Sequence, residues 1–216
     1  MGKFFIHTVT IALLTGLAAA CREPEREAPP PEAQAPQGVH GMAPTAVGGT
    51  PSVITLNLVG PSGTDGATGS AGSGAGEPPT MDQLGLVFTP PTLVARVGEP
   101  VVFTNSESLV HNVHLWFADN DSTVLNVETD AGARAEFVFD RAGGYDVTCD
   151  HHPGMRAFIY VTEAEHAVFA DNSGHFVIPD VAPGAYNLNV WSIDPQRRLE
   201  QRIEVSGPST EVTLAP

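Results

Sequence analysis

The chain has 216 residues and a formal net charge of −15 at pH 7, with 22 glycines and 19 prolines. This acidic balance, without any run of lysine or arginine, argues against binding to the phosphate backbone of nucleic acids. Abundant glycine and proline are typical of polar tails and turn-rich β structure, and the length allows one or two small domains.

Residues 1–20 have the pattern of an export signal. Lys3 supplies a positive start, and the apolar stretch that follows is too short for a comfortable membrane span. Three alanines then precede Cys21, and the segment resembles the lipobox of bacterial lipoproteins. That resemblance implies that Cys21 is acylated and anchors the chain to a membrane. A plain secretory signal with a chance cysteine is the alternative.

Residues 21–51 are dense in Pro, Glu, Ala and Gly and poor in large apolar side chains, so we predict a disordered tether. Residues 52–80 combine an alternating β-rich run, Ser52–Val59, with a Gly/Ser-rich linker. The sequence leaves open whether this first strand joins the domain that follows or the C-terminal one.

From Met81 onwards, short apolar runs alternate with turn residues and no long helical pattern occurs, which predicts a β-sandwich over residues 81–164. The predicted strands are the alternating set Leu84, Leu86 and Phe88, followed by Leu93–Val97, Val101–Thr104, Val113–Phe117, Thr123–Val127, Ala135–Phe139, Gly144–Cys149 and Ala157–Thr162. Trp116 and the phenylalanines are most simply interpreted as core residues.

Residues 165–216 predict about five further strands, beginning with a hairpin around Asp171–Gly174. The run from Gly174 to Trp191 resembles carboxypeptidase-regulatory-like, transthyretin-like β-sandwich modules, through its spaced prolines and its alternating Tyr186, Leu188 and Val190. The resemblance implies a fold rather than a function. Because about 50 residues are marginal as an independent unit, we expect this module to pack on the preceding domain.

The segment Tyr145–Met155 brings a thiol, an imidazole and a thioether close together in the sequence. Cys149 alternates with the apolar residues before it, so it should point into the core, and a Pro-Gly loop then lets His152 and Met155 fold back toward its sulfur. One Cys, two His and a weak, distant Met suit copper held for electron transfer. The second histidine must come from elsewhere, and His111 is the best candidate.

Together these two segments resemble the cupredoxins, the small blue copper proteins, and among them the amicyanins. They share His-Asn-Val-His after a polar turn, and Cys-x2-His-Pro-x-Met followed by Arg and a small residue. The resemblance covers roughly residues 81–162 and implies a Greek-key β-sandwich with one type 1 copper ion on His111, Cys149, His152 and Met155. The fold class we expect is therefore all-β, with a disordered tether, a cupredoxin sandwich and a small transthyretin-like sandwich.

The same resemblance implies roles around the ligands. The Asn112 side chain would tie the two ligand segments together, although an ordinary turn asparagine is the alternative. His152 would pass the electron at an apolar surface where Pro153 faces the partner. Amicyanins have Thr-Pro where this chain has Asp150-His151, and a carboxylate so close to the metal should lower the reduction potential.

The remaining histidines are not expected to be ligands of this copper ion. His114 should face away from His111 on the strand and be structural or at the surface, and His151 should be a solvent-facing neighbour. His40 and Met42 could meet a copper ion in passing, but a solvated tail is the simpler interpretation.

The chain has two cysteines, and Cys149 has no disulfide partner if Cys21 carries lipid. Metal binding would protect such a thiol in an oxidising compartment. We therefore predict a one-electron copper carrier rather than an enzyme, placed as a periplasm-facing lipoprotein at the bacterial cell envelope. Arg22, rather than an aspartate, follows Cys21, which favours the outer over the inner membrane in a Gram-negative cell.

The acidic surface predicts a basic redox partner, such as a c-type cytochrome or a dehydrogenase. An envelope copper carrier or reservoir, and a copper-free surface interaction protein, are the alternative functions.

Overall fold

The computed structural model describes residues 37–59 and 77–214, which contain sixteen β-strands and a single 3₁₀ turn at Pro195–Arg197. The strands, numbered in chain order, are β1 (Gly38–Met42), β2 (Val53–Leu58), β3 (Thr80–Gln83), β4 (Phe88–Thr89), β5 (Thr92–Arg96), β6 (Pro100–Asn105), β7 (His111–Phe117), β8 (Ser122–Thr129), β9 (Arg134–Val138), β10 (Gly143–Thr148), β11 (Arg156–Thr162), β12 (His166–Phe169), β13 (His175–Ile178), β14 (Gly184–Trp191), β15 (Leu199–Val205) and β16 (Ser209–Val212). The predicted all-β fold class is confirmed. The predicted signal peptide and Cys21 lie outside the described residues.

Strands β3 to β11 form the central domain. One sheet has the strand order β5-β11-β10-β7-β8 and the other β4-β3-β6-β9, and their buried side chains share one apolar core. The alternation read from the sequence holds on β10, where Tyr145 and Val147 are buried in this core together with Cys149, which directly follows the strand. The largest fully buried side chains of this core include Met81, Phe88, Phe103, Leu115, Phe139, Tyr145 and Ile159.

The remaining strands form a second unit, which we call the split module because the central domain is inserted between its strands β2 and β12. Its sheets have the orders β13-β1-β16 and β12-β2-β14-β15, around a separate apolar core. Strand β2 pairs with β12 and β14, so the run Val53–Leu58 belongs to this module. The module therefore gains two strands from ahead of the central domain, beyond the residues 165–216 predicted for it.

Strand β1 lies within the predicted tether, and the prediction of disorder was wrong for residues 38–42. Val39 is fully buried in the module core, and the strand pairs with β13 on one side and β16 on the other. Its glycines are required there, because a Cβ on Gly41 would lie 2.4 Å from the carbonyl oxygen of Val212. Backbone pairing on both edges holds this strand, and a composition rule that counts apolar side chains cannot detect such pairing.

The alternation of Leu84, Leu86 and Phe88 predicted a strand, and this prediction was also wrong. A turn separates β3 from β4, and Gly85 and Leu86 in that turn have φ angles of 73° and 59°. Only Phe88 is buried, and the exposed fractions of Leu84 and Leu86 are 53% and 48%. The Glu107 carboxylate holds the turn by accepting hydrogen bonds from the backbone N–H groups of Gly85 and Leu86.

An aromatic contact joins the two units. Trp191 on β14 stacks on Phe158 on β11, with ring centroids 5.2 Å apart, and both side chains are buried in a small cluster with Val53. Gly144 on β10 lies against this pair, because a Cβ there would come within 2.5 Å of the Trp191 ring. Arg198 completes the contact through a 2.7 Å ion pair with Asp119 and a position above the Trp191 ring. This packing bears out the expectation that the module rests on the central domain.

Asp146 on β10 lines a cleft between the two units and is half-buried there. Burial raises its pKa, and the attraction of Arg156 offsets only part of this effect. A carboxyl whose pKa is higher in the folded state destabilises that state at neutral pH, and the penalty is relieved as the pH falls through the folded pKa.

Replacing Asp146 with asparagine is therefore expected to raise the free energy of unfolding at pH 7. The gain should shrink as the pH falls through the folded pKa of Asp146. Urea denaturation at several pH values measures it, and the exposed Asp130→Asn is the matched control. A loss of stability at pH 7 would contradict the assigned cost of burial.

Candidate metal centre

Two segments of the central domain meet at one end of the sandwich. His111 is the first residue of β7, whereas Cys149 and His152 lie in the loop that joins β10 to β11. Strands β7 and β10 are antiparallel neighbours, and His114 is paired with Thr148. This register brings His111 beside the start of the β10–β11 loop, although 38 residues separate it from Cys149 in the chain.

The three side chains point their donor atoms at one another. The Cys149 Sγ lies 3.8 Å from the His111 Nδ1 and 3.7 Å from the His152 Nδ1, and the two Nδ1 atoms are 3.0 Å apart. His111 and Cys149 are buried, with exposed fractions of 0% and 4%, and His152 is partly exposed. Among the described residues, these three are the group of histidine, cysteine and acidic side chains close enough to hold one metal ion.

The size of this triangle fits a first-row metal ion. A point equidistant from the three atoms lies about 2.0 Å from each, close to the roughly 2.0–2.3 Å of metal–imidazole and metal–thiolate bonds. Two imidazoles and one thiolate in a trigonal arrangement are the donor set of blue-copper electron-transfer sites. The three donor atoms are thus close enough together to hold one ion at ordinary bond lengths.

Met155 lies at the end of the same loop. Its side chain is 2% exposed and belongs to the apolar core that contains Cys149. Its backbone N–H donates to the carbonyl of His152 at 3.1 Å, which closes the loop into a tight turn. A buried thioether at this place suits the weak axial ligand, and that assignment stays a prediction.

Glu107 orients His111, a role that the sequence analysis did not assign to it. The His111 Nε2 lies 2.7 Å from the Glu107 Oε2, and a carboxylate can only accept, so Nε2 carries the proton. This hydrogen bond through Nε2 leaves Nδ1 directed at the metal position, in the arrangement of a metal-ligating histidine that is oriented by a carboxylate. The hydrogen bond from His111 also lowers the pKa of Glu107, which keeps this carboxylate ionised.

Asn112 links the two ligand segments. Its Oδ1 accepts from the backbone N–H of Asp150 at 2.6 Å, and its Nδ2 donates to the carboxylate of Asp150 and to Asn126. The residue after His111 therefore holds the residue after Cys149. This contact fixes the separation of the two ligands through a hydrogen-bonded neighbour of each.

Asp150 is itself held by several donors. His114 lies 2.9 Å from one of its carboxylate oxygens, and Asn126 donates to the other at 2.9 Å. The hydrogen bond from His114, together with those from Asn126 and Asn112, lowers the pKa of Asp150 against the opposing effect of burial. Asp150 thus carries a persistent negative charge at the position next to Cys149 in the chain.

Replacing Asp150 with asparagine is expected to raise the reduction potential of the copper-loaded protein by roughly several tens of millivolts, because a nearby negative charge favours the more positive oxidised metal. Since the pKa of Asp150 is lowered, the difference should persist at mildly acidic pH and vanish only as the pH falls through that lowered value. Redox titration measures it. Asp140→Asn, at the opposite end of β10, is the matched control, and an unchanged potential in Asp150→Asn would contradict the argument.

Replacing Glu107 with glutamine is expected to weaken copper binding by about 10- to 100-fold, because the carboxylate that orients His111 and raises its basicity is lost. Competition with a copper chelator measures the affinity. Glu128→Gln is the matched control, since Glu128 pairs with His151 rather than with a ligand of the triangle. Equal losses in the two variants would show that the effect is a general one of surface charge.

The other predicted neighbours lie around the triangle rather than in it. His114 is buried on the opposite face of β7 from His111, where it stacks on Trp116 at 4.0 Å between ring centroids. Trp116 is only partly buried and donates to Thr148, so its interpretation as a core residue was wrong. His151 is exposed and paired with Glu128, and Pro153 is exposed beside His152.

Comparison with known proteins finds copper-binding proteins that are similar to the central domain. Residues 79–162 match the family of copper binding proteins described as plastocyanin/azurin. The chloroplastic plastocyanin of Tetradesmus obliquus is 30% identical over 83 residues, covering 34% of this chain and 55% of that protein. The chain thus spans about half the length of the curated relative that it matches.

Solved structures to which the chain is similar include variants of amicyanin and a purple cupredoxin. A copper(I) form of an amicyanin variant is 26% identical, with a TM-score of 0.37, and the match covers 43% of this chain and 89% of that one. A purple cupredoxin from Nitrosopumilus maritimus is 23% identical with a TM-score of 0.35, covering 39% and 99% of the two chains.

Proposed function

We propose that this protein, whose residues 79–162 match the plastocyanin/azurin family of copper-binding proteins, carries single electrons at a bacterial cell envelope. His111, Cys149, His152 and Met155 would hold one type 1 copper ion, which supplies the one-electron redox chemistry when bound. The observation that carries the proposal is the triangle of Cys149 Sγ and the two histidine Nδ1 atoms, which has the size of a first-row metal site.

The surroundings of the triangle suit electron transfer because they hold the ligands in place. Glu107 fixes the ring of His111, and the contact between Asn112 and Asp150 fixes the spacing of the two ligand segments. Ligands that are held in one arrangement need little movement when the charge of the metal changes. A single geometry can then serve both oxidation states.

His152 is the route by which the electron would enter and leave. It is the one partly exposed member of the triangle, and the exposed Pro153 follows it. Five apolar side chains that are about half exposed belong to the two loops joined by Glu107, namely Leu84, Leu86, Val87, Leu109 and Val110. These residues, which we call the apolar rim, offer a surface on which a partner protein could exclude water near the centre.

Burial of the ligands favours an electron carrier over a copper carrier or reservoir. His111 and Cys149 are almost inaccessible to solvent, so an incoming copper acceptor could not reach them without opening the loop. The complete donor set also argues against a copper-free interaction protein, because a degenerate site would have no reason to keep three converging ligand atoms.

Envelope placement is part of the proposal and is supported by the export pattern before Cys21. Acylation of Cys21 would anchor the chain to a membrane. Mass spectrometry of the mature N-terminus in a bacterial host tests this point: a lipid-modified Cys21 is expected, and a free N-terminal residue at another position would contradict it. Cys21→Ser should release the protein into the soluble fraction.

Electron transfer to a basic c-type cytochrome tests the function. The reduced protein is mixed with the oxidised cytochrome, and the second-order rate constant is followed as the salt concentration rises. The net charge of −15 predicts fast transfer that slows with salt. An acidic cytochrome of similar potential is the control and should react more slowly. Absence of cytochrome reduction would contradict the carrier function, and a rate independent of salt would contradict electrostatic docking.

A further inference from the structure

The solvent face of the sheet β13-β1-β16 carries a group of metal-binding side chains. Along β1, Val39 is buried, whereas His40 and Met42 point the other way and are partly and half exposed. Along β13, Phe176 and Ile178 are buried, whereas His175 and Val177 are exposed. Two imidazoles and one thioether therefore share one face of two paired strands.

The strand register places these three side chains next to one another. Met42 is directly opposite His175, and His40 is opposite Val177, the next outward position along β13. Directly opposite residues have Cβ atoms about 4.5–5.5 Å apart, and diagonal neighbours about 7–8 Å, which long side chains can bridge. The Met42 methyl also lies beside the turn that leads into His175, 3.7 Å from the position of a Cβ on Gly174.

Each imidazole is oriented by a hydroxyl group. The His40 Nε2 lies 3.0 Å from the Ser209 Oγ, and the His175 Nδ1 lies 2.9 Å from the Ser173 Oγ. One ring nitrogen of each histidine is thus engaged, and the second would be the one that binds an ion, as in metal sites whose histidines are held by an outer hydrogen bond. The exposure of His175 and Met42 allows their side chains to turn toward a common point.

The local charge favours a cation. Glu211 on β16 is paired with His40 and is exposed, and a carboxylate oxygen of Asp171 lies 3.8 Å from the His175 Nδ1. A thioether is a soft ligand that selects Cu(I), and imidazole also suits copper, whereas magnesium and calcium require oxygen ligands. The donor set therefore favours Cu(I) over magnesium and calcium.

We propose that His40, Met42 and His175 bind a Cu(I) ion, at a site separate from the centre in the central domain. The two sites share no residue and lie in different units of the fold. Since these three side chains are accessible, copper at this site would exchange readily with the surroundings, unlike copper held by the buried His111 and Cys149. The split module would thus give the protein a copper-exchange function in addition to electron transfer.

The test is an anaerobic titration of the reduced, copper-loaded protein with Cu(I) buffered by a chromophoric chelator. Uptake of a second equivalent is expected. The double variant His40→Gln/His175→Gln should lose it, and Met42→Leu should weaken it by at least about tenfold, since losing even a residue that only orients a metal ligand costs about that much. His166→Gln, which alters a histidine on a strand of the other module sheet, is the matched control and should keep the second equivalent.

A second measurement locates the ion. Because Cu(I) is diamagnetic, its binding should shift the NMR signals of the Met42 methyl and the His40 and His175 ring protons without paramagnetic broadening. Uptake of only one equivalent by the unmodified protein, or shifts confined to other residues, would overturn the proposal. A second equivalent that survives Met42→Leu unchanged but not the histidine changes would overturn the assignment of Met42 as a ligand and leave a site made of the two imidazoles.

Discussion

Replacing Cys149 with serine is expected to abolish reversible one-electron chemistry in the copper-loaded protein and to remove its intense visible absorption. The Cys149 sulfur is the only thiolate donor of the described triangle, and it lies 3.7–3.8 Å from both imidazole donors. A serine hydroxyl has nearly the same shape but is a hard donor that stays protonated at neutral pH, so it cannot replace the thiolate–copper bond. Voltammetry of the loaded protein measures the couple.

Met155→Leu is the informative partner of this variant. Leucine fills a similar buried volume, so the fold should be kept, and only the weak axial donor is removed. Copper should still bind and remain coloured, with a shifted reduction potential, because the axial ligand tunes the potential of such sites. A Cys149→Ser protein that keeps a reversible couple and a strong visible band would contradict the ligand assignment.

Replacing Trp191 with alanine is expected to cost about 3–5 kcal/mol of unfolding free energy, the usual range for truncating a buried aromatic side chain. Trp191 is 8% exposed and stacks on Phe158, contacts Tyr160 at 5.4 Å between centroids and lies under the guanidinium of Arg198. The change would open a cavity between the central domain and the split module. It would also leave the aromatic face of β11 exposed to water.

Urea denaturation followed by two probes separates the consequences. Far-UV circular dichroism reports on all strands, and the visible absorption of bound copper reports on the central domain alone. The two probes should give the same urea midpoint in the unmodified protein, and both midpoints should be lower in Trp191→Ala. Trp116→Ala is the matched control, and a smaller loss is expected because Trp116 is only partly buried. A change below about 1 kcal/mol in Trp191→Ala would show that the interface contributes little.

Much of the candidate metal centre could be predicted from the sequence because its signals are local. Cys149, His152 and Met155 lie within one loop, and the alternation of β10 shows which way Cys149 points. The sequence also offered His111 as the best candidate for the second histidine, and the antiparallel pairing of β7 with β10 explains why a distant residue reaches the loop.

The hydrogen bonds around the ligands could not be read in the same way. The carboxylate of Asp150 receives hydrogen bonds from side chains 24 and 38 residues away in the chain, Asn126 and Asn112. No periodicity or spacing encodes such contacts. Glu107 is closer to its partner, four residues before His111. Whether its carboxylate reaches the His111 ring nevertheless depends on a turn geometry that the residues alone do not specify.

The split module shows how composition can mislead. Residues 38–42 have only Val39 and Met42 as large apolar side chains, yet β1 is the middle strand of its sheet. Its stability comes from ladders on both edges and from glycines that allow close approach, and both depend on partners more than 130 positions later. Only that strand pairing places the His40 and Met42 side chains at defined positions on the outer face of the sheet.

The most direct test of the central claim is the visible absorption spectrum of the protein loaded with Cu(II), recorded before and after one-electron reduction. We expect an intense visible band from the bond between copper and the Cys149 thiolate, and we expect it to disappear on reduction and return on reoxidation. A pale or colourless Cu(II) protein would contradict the proposed centre, because it would mean that the triangle of His111, Cys149 and His152 does not hold the metal.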